Sequence, residues 1–355
     1  MGRKLRIVIT VDPEIPVPPK YYGGIERIVD MLINGLSEKG HEVFLFAHPD
    51  SKTPAGLMTY PGKSSRSLKD TLANALAVAR FTRTGQPIDV VHSFSRLAYL
   101  LFIMSSGIPK IQSYQRRIAS GSIRLGRLLA GRSITFTSCS RYGMNTAGPV
   151  GGRWAVIPNG VPMSIYSFVP HVAKDAPIVY LGRVERFKGV HVAIEVARAA
   201  GRPLIIAGNH AMSREGLDYF KKTILPQCDG DRIKYIGPVD DAGKNKLLGE
   251  AAALLFPVEE GEPFGIVMAE ALMCGTPVIG FNRGAVEEIV NNGVTGYVCD
   301  TFADMVSAVK NIGGIDRGKC RQSAEERFSD RAIVDGFERL YFSVAGKPEN
   351  RQKQT

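Results

Sequence analysis

A chain of 355 residues, 44% hydrophobic and 22% charged, has the composition of a globular protein and the length of two domains, which excludes collagen-like and wholly disordered classes. Its formal charge of +11 is lopsided: residues 1–170 carry 21 Lys or Arg against 9 Asp or Glu, whereas residues 171–355 carry 24 against 25. Five cysteines without a C-x-x-C pair point to free thiols in a reducing compartment and away from structural zinc.

The chain opens on an apolar run, Leu5 to Val11, broken by Arg6, so the start reads as a strand and not as a signal peptide. A proline-rich loop with Pro13, Pro16, Pro18 and Pro19 leads to Tyr22-Gly23-Gly24. The spacing of Ile25, Ile28, Val29, Leu32 and Leu36 then predicts an amphipathic helix stopping at Gly40. Strand, glycine loop and helix N-terminus are the parts of a phosphate cradle, but no G-x-G-x-x-G is present, and a plain strand-to-helix turn accounts for the loop equally.

Further strands are expected at His41–Phe46, Asp89–His92, Lys110–Ser113, Ile134–Thr137 and Ala155–Pro158, with helices near 68–83 and 95–105. Strands alternating with helices indicate a doubly wound parallel sheet. The segment after Asn159-Gly160-Val161, holding Pro162 and Pro170, reads as a linker. A second alternation has strands at Ile178–Arg183, Leu204–Gly208, Ile233–Ile236, Ala253–Phe256 and Val278–Ile279. Two such domains would face an interdomain cleft, with ligands at the carboxyl ends of the strands. The longest apolar run, Leu97 to Met104, is too short to span a bilayer, so a cytoplasmic protein is expected, with attachment to the inner membrane face left open.

The most informative stretch follows Phe256-Pro257. Its acidic, glycine-bearing loop includes Glu262-Pro263-Phe264-Gly265, and helical spacing from Phe264 puts Gly265 and Ile266 in a first turn whose N–H groups are unpaired and suited to an anion. Glu262 and Glu270, the latter two turns into that helix, could hold hydroxyls of a polyol. The plainer alternative is a helix-favouring loop acid and a solvated face residue. Upstream, Gly182-Arg183 and Lys188-Gly189 put two cations where a strand turns into a helix; they would neutralise a diphosphate, or be ordinary surface charges.

Glu262-Pro263-Phe264-Gly265 with Glu270, followed by Cys274-Gly275-Thr276-Pro277-Val278-Ile279, resembles the donor-site signature of family 4 of the retaining glycosyltransferases (glycosyl transferases group 1), which have the GT-B fold of two Rossmann-like domains. The resemblance implies a retaining, metal-independent hexosyltransferase working in cell-surface glycan or glycolipid biosynthesis. It gives Glu262 the hydroxyls of the donor sugar and Glu270 the ribose, with Phe264, Gly265 and Ile266 alongside. It gives Arg183, Lys188 and the Gly23-Gly24 amides the diphosphate, and sets Asn159 near the cleft. Arg183, Lys188 and Glu262 would be the catalytic residues. No resident cofactor or metal is implied, since the nucleotide-sugar is a co-substrate, with a UDP-sugar favoured over a GDP-sugar.

Domains are expected at 1–168 (acceptor-binding) and 169–329 (donor-binding), with a helix at 330–347 that by resemblance crosses back to the first domain, and a polar tail at 348–355. The match departs from the family at one point: Gln115 stands where many members carry a histidine near the donor sugar. Glutamine can donate a hydrogen bond but cannot exchange a proton. His92 is the nearest substitute, as a packed or substrate-positioning residue; His41 reads as structural. The departure leaves a non-catalytic sugar-nucleotide sensor as the alternative. A dehydrogenase lacks its dinucleotide fingerprint, and no nucleic-acid-binding motif accompanies the basic half.

That basic half has no acidic residue between Asp89 and Asp175, which suggests an anionic or lipid-linked acceptor and peripheral docking on a membrane. On a helical projection Arg117, Arg124 and Arg127 fall to one side, and Ile118, Leu125 and Leu129 to the other, although Gly121, Gly126 and Gly131 weaken the helix.

Overall fold

The computed structural model describes residues 3–20 and 23–346. Tyr22 and the tail from Lys347 onward lie outside them. The chain divides into two compact units, one holding the residues up to Asn159 and those from Asp330, the other Gly160 to Ser329.

The first unit is built on β1 (Arg6–Thr10), β2 (Glu42–Ala47), β3 (Gly56–Thr59), β4 (Val90–Ser93), β5 (Lys110–Tyr114), β6 (Ile134–Ser138) and β7 (Trp154–Val156). They form one parallel sheet in the order β3-β2-β1-β4-β5-β6-β7. The central strands are buried on both faces, which is why they read as unbroken apolar runs. The edge strand β3 was not expected; it is short, contains Gly56 and is half exposed, so it carries no apolar run. The stretch near 95–105 forms a 3₁₀ segment, Leu97–Ile103, in place of an α-helix.

The helix Gly24–Glu38 buries Ile28, Val29, Leu32, Ile33 and Leu36, each worth roughly 1.5–3 kcal/mol. The C-terminal helix Asp330–Ala345 lies against it, and Gly35 permits the approach: a Cβ there would come within 2.5 Å of Val334. Lys39 bridges to Asp335 at 2.8 Å and Glu338 at 2.7 Å on the same helix.

The second unit has β8 (Ile178–Leu181), β9 (Leu204–Ala207), β10 (Ile233–Tyr235), β11 (Ala253–Phe256), β12 (Val278–Phe281) and β13 (Gly296–Cys299), again all parallel, in the order β10-β9-β8-β11-β12-β13. It begins at Gly160, ahead of the boundary read at 168. The Val161 N–H donates to the Phe328 carbonyl, Ser167 N–H to Asn245 Oδ1 and Val169 N–H to the Cys274 carbonyl, so the expected linker is stitched to this unit. Buried Arg317 ties the same region together by donating to the Val169, Ala251 and Gly249 carbonyls and to Thr276. No helix among the described residues is long and apolar enough to cross a membrane.

Candidate active site

In both sheets the strand order reverses about one pair, β1/β4 in the first and β8/β11 in the second. The loops leaving such pairs splay apart and leave a crevice at the carboxyl ends. Arg183 and Lys188 follow β8, and Glu262 follows β11, so the second unit gathers its three proposed catalytic side chains at its switch point.

Backbone fixes these loops to one another. Gly189 has φ +73°, and a Cβ there would fall 1.9 Å from the Pro257 carbonyl oxygen, so only glycine lets the β8 loop pass this close to the end of β11. The Glu259 N–H donates to the Phe187 carbonyl at 2.9 Å. Glu262 is held from the other side by the loop after β12: its carbonyl accepts from Ala285 N–H at 3.0 Å, and Gly284 (φ +70°) sits so near that a Cβ would meet the Glu262 backbone at 2.4 Å.

Within that frame the Lys188 ammonium donates to Glu262 Oε2, both side chains being largely buried. Arg183 pairs with Glu185 at 2.9 Å but is 53% exposed; such a pair is worth 0–1 kcal/mol, so it yields readily to a bound anion. Its backbone is pinned because Tyr180 donates to the Arg183 carbonyl at 2.8 Å. The second Glu185 oxygen, Oε2, is buried without a hydrogen-bond partner among the described residues.

The helix begins at Ile266 and ends at Met273, with Gly265 as its N-cap at φ +77°, so Phe264 lies before it and Glu270 one turn in, not two. The Phe264 ring is buried edge-on against Phe328, 5.7 Å between centroids, and can serve a ligand only through its backbone. Of the first-turn N–H groups, that of Met268 donates to the Gly265 carbonyl at 2.9 Å, which leaves those of Ile266 and Val267 ahead of the intrahelical ladder at the positive end of the helix.

Glu270 is buried, and its Oε1 accepts from Tyr166 OH at 2.5 Å and Lys244 Nζ at 2.6 Å. Lys244 also reaches Asp241 at 3.2 Å. Burial, then the Glu270 charge, raises the Tyr166 hydroxyl far above its ordinary range, so it stays a donor. The same two causes lift the Cys274 thiol to about 12, leaving it inert. Sequence reasoning missed Tyr166 and Lys244; neither belongs to a motif, and they reach Glu270 from 104 and 26 residues away.

Gly23, Gly24, Asn159, His92 and Gln115 belong to the first unit. A Cβ on Gly23 would meet Pro19 at 2.7 Å and Glu26 at 2.8 Å, which is why glycine precedes the helix that Gly24 starts. Asn159 is buried. His92 is fully enclosed, with Nδ1 2.7 Å from Tyr341 OH and Nε2 2.6 Å from Ser113 Oγ, and burial lowers its pKa to about 3. A neutral ring with both nitrogens engaged and no exposed surface is a packed residue. His41 accepts from Leu5 N–H at 3.1 Å, a structural role.

The His92 shift sets a pH dependence. Between about 3 and the ordinary 6.5 the unfolded chain binds a proton that the fold refuses, so stability falls as pH drops through that window, by up to about 1.4 kcal/mol per pH unit. Urea midpoints at pH 7 and pH 4.5 should differ more for the wild type than for His92→Gln; equal differences would remove His92 as the cause.

At the first switch point, four buried oxygens or hydroxyls lack partners among the described residues: Asp12 Oδ1, Ser93 Oγ, Gln112 Oε1 and Gln115 Oε1. Asp12 follows β1, Ser93 ends β4, Gln112 lies within β5 and Gln115 follows it. Burial lifts the Asp12 carboxyl above its usual value, Glu14 adds to this, and Arg96 and Arg116 oppose it. No three His, Cys, Asp or Glu side chains among the described residues gather as a metal site.

Two family models match the chain, Glycosyltransferase Family 4 over residues 22–164 and Glycosyl transferases group 1 over residues 167–324. A phosphatidyl-myo-inositol mannosyltransferase of Mycobacterium tuberculosis is 35% identical, the match covering 91% of this chain and 94% of that protein. The first curated relatives match over less, and the chain spans 33%, 41% and 53% of the length of three of them. Among solved structures, AviGT4, a glycosyltransferase involved in avilamycin A biosynthesis, is 28% identical with a TM-score of 0.71, covering 96% of this chain and 98% of its own. Anabaena HepE, solved with UDP-glucose, shares the fold at 18% identity, TM-score 0.71, covering 95% of this chain and 99% of its own.

Proposed function

Since this chain belongs to the family 4, group 1 glycosyltransferases and has the two parallel-sheet domains of their GT-B fold, we propose that it is a retaining, metal-independent glycosyltransferase that carries a hexose from a nucleotide-sugar to a glycolipid or cell-surface glycan acceptor. The observation that carries this reading is the meeting of Lys188 and Glu262 beside the open N-terminus of the helix Ile266–Met273, at the switch point of the second sheet.

In this reading the first-turn amides, Lys188 and Arg183 bind the diphosphate, Glu262 takes sugar hydroxyls, and Glu270 takes the ribose. Gly23, Gly24 and Asn159 of the first unit keep the donor-binding roles that the family resemblance gives them. The bond from the anomeric carbon to the phosphate oxygen breaks as a bond to the acceptor oxygen forms on the same face. The acceptor's proton passes to the departing phosphate oxygen, so no histidine is needed, and Gln115 only positions. Two cations and fixed amides stabilise the charge that develops on the leaving group. Family membership does not favour the non-catalytic sensor. A thermal-shift panel of UDP-, GDP- and ADP-sugars tests the donor half, because a ligand stabilises by RT ln(1 + [L]/Kd). A UDP-sugar is the first candidate, and no shift with any member would count against the reading.

The acceptor half rests on the unpartnered groups of the first unit. Asp12, Gln115 and their neighbours accept from or donate to hydroxyls, and Arg96 and Arg116 offer charge to an anion, which suits an acceptor carrying both. Asp12→Asn is expected to raise the acceptor KM about tenfold or more, the loss of a hydrogen bond to a charged group, with donor affinity unchanged. Equal KM values in variant and wild type would remove Asp12 from the acceptor site.

A further inference from the structure

The three elements Leu68–Arg83, Leu97–Ile103 and Ser120–Ala130 are consecutive helical segments between β3 and β6. Their inner sides share one core: Val78, Leu100, Ile103, Ile123 and Phe136 pack together. Their outer sides hold a set of apolar side chains that the core does not use. Leu68, Leu72 and Leu76 are 75%, 39% and 37% exposed and recur every four residues along one stripe. Leu101 and Phe102 follow on the neighbouring element, and Arg83 donates to the Phe102 carbonyl at 3.2 Å. Leu125, Leu128 and Leu129 complete the face, Leu128 being 80% exposed.

The helix Ser120–Ala130 does not pack as its sequence projection suggests. It seats Ile123 and Gly126, because a glycine at 126 lets the backbone lie on Phe136, where a Cβ would be 3.1 Å away. Leu125 and Leu129 are thereby turned outward and exposed, as is Arg124, while the Arg127 guanidinium donates to the Val150 carbonyl. On the first helix the leucine stripe runs on into Arg80 and Arg83, and Lys69 flanks its start; all three are exposed. The acid on these three elements is Asp70, which already accepts from the Lys63 and Ser64 N–H groups.

We propose that this face of the first unit is a membrane-contact surface that lays its leucines into the interfacial region of an anionic bilayer while its arginines and Lys69 bind lipid phosphates. Charge decides the occupant: a second copy seated on the same face would set arginine against arginine, whereas anionic lipid complements every exposed charge there. The contact goes beyond the transfer reaction, and it stands or falls separately from it.

The full chain is sedimented with phosphatidylcholine vesicles, with and without phosphatidylglycerol, at low and at high salt. Retention is expected on the anionic vesicles and little on the neutral ones, with high salt weakening it as screening shortens. Replacing Lys69, Arg80 and Arg124 together by Gln should cost about fivefold in partition per charge. Leu125→Ser with Leu128→Ser should cost at least about tenfold. Leu128→Glu alone, at a position that is 80% exposed, guards against misfolding and should weaken binding both by losing apolar contact and by repelling anionic lipid. Transfer to a detergent-dispersed acceptor should be unchanged in these variants. Equal retention on both vesicle types, retention on neither, undiminished binding by the leucine variants, or a dimer in light scattering that buries this face would overturn the proposal.

Discussion

Lys188→Ala is expected to lower turnover by about 10²- to 10³-fold, the usual cost of removing one preorganised group that meets developing charge. The effect should fall on kcat more than on donor affinity, because the leaving phosphate gains charge only as the anomeric bond breaks. A second loss is built into the geometry. Lys188 donates to Glu262 Oε2 within a largely enclosed pair, so its removal leaves the Glu262 carboxylate without that partner and free to swing from the sugar hydroxyls. The Glu262 backbone should not move, since the Ala285 N–H bond and the Gly284 contact hold it independently. Steady-state kinetics with a saturating acceptor would check this; near wild-type kcat would remove Lys188 from the catalytic set.

Glu270→Ala should act on binding instead. A ribose hydroxyl loses a charged acceptor worth about 1.5–3 kcal/mol, or roughly 10- to 150-fold in donor Kd. Stability should fall with it, because Lys244 and Tyr166 both donate to Glu270 Oε1; breaking one partner out of a buried pair costs about 3–5 kcal/mol, less here because Lys244 keeps Asp241 at 3.2 Å and is partly exposed. Glu270→Gln separates the two effects, since the amide oxygen can still accept from Tyr166. Calorimetric titration with the donor, alongside urea melts, reads both; an unchanged Kd in Glu270→Ala would refute the ribose assignment.

Much of this was legible in the chain. Buried parallel strands leave unbroken apolar runs, so β1, β8 and β11 could be located from Leu5–Val11, Ile178–Arg183 and Ala253–Phe256. Strands β3 and β13 could not: one is a half-exposed edge, and each carries a glycine where a β-branched residue would mark it. The loops that bring Lys188 to Glu262 were legible because both residues sit in short motifs that contain a glycine with a backbone angle only glycine readily adopts, Gly189 in one and Gly265 in the other. The Tyr166–Lys244–Glu270 clamp was hidden, since contacts between distant segments leave no periodic trace. The outward turn of Leu125 and Leu129 was hidden for a different reason: helical projection assumes that leucine seeks the core, and here a glycine took that place against Phe136.

The central claim is transfer with retention, driven by cations and amides. It is tested most directly by following the reaction with proton NMR in the presence of EDTA, using the nucleotide-sugar that gives the largest thermal shift. The account predicts release of the nucleoside diphosphate together with a glycoside of the same anomeric configuration as the donor, at a rate unaffected by the chelator. A product of inverted configuration, or release that stops when the chelator is added, would contradict it.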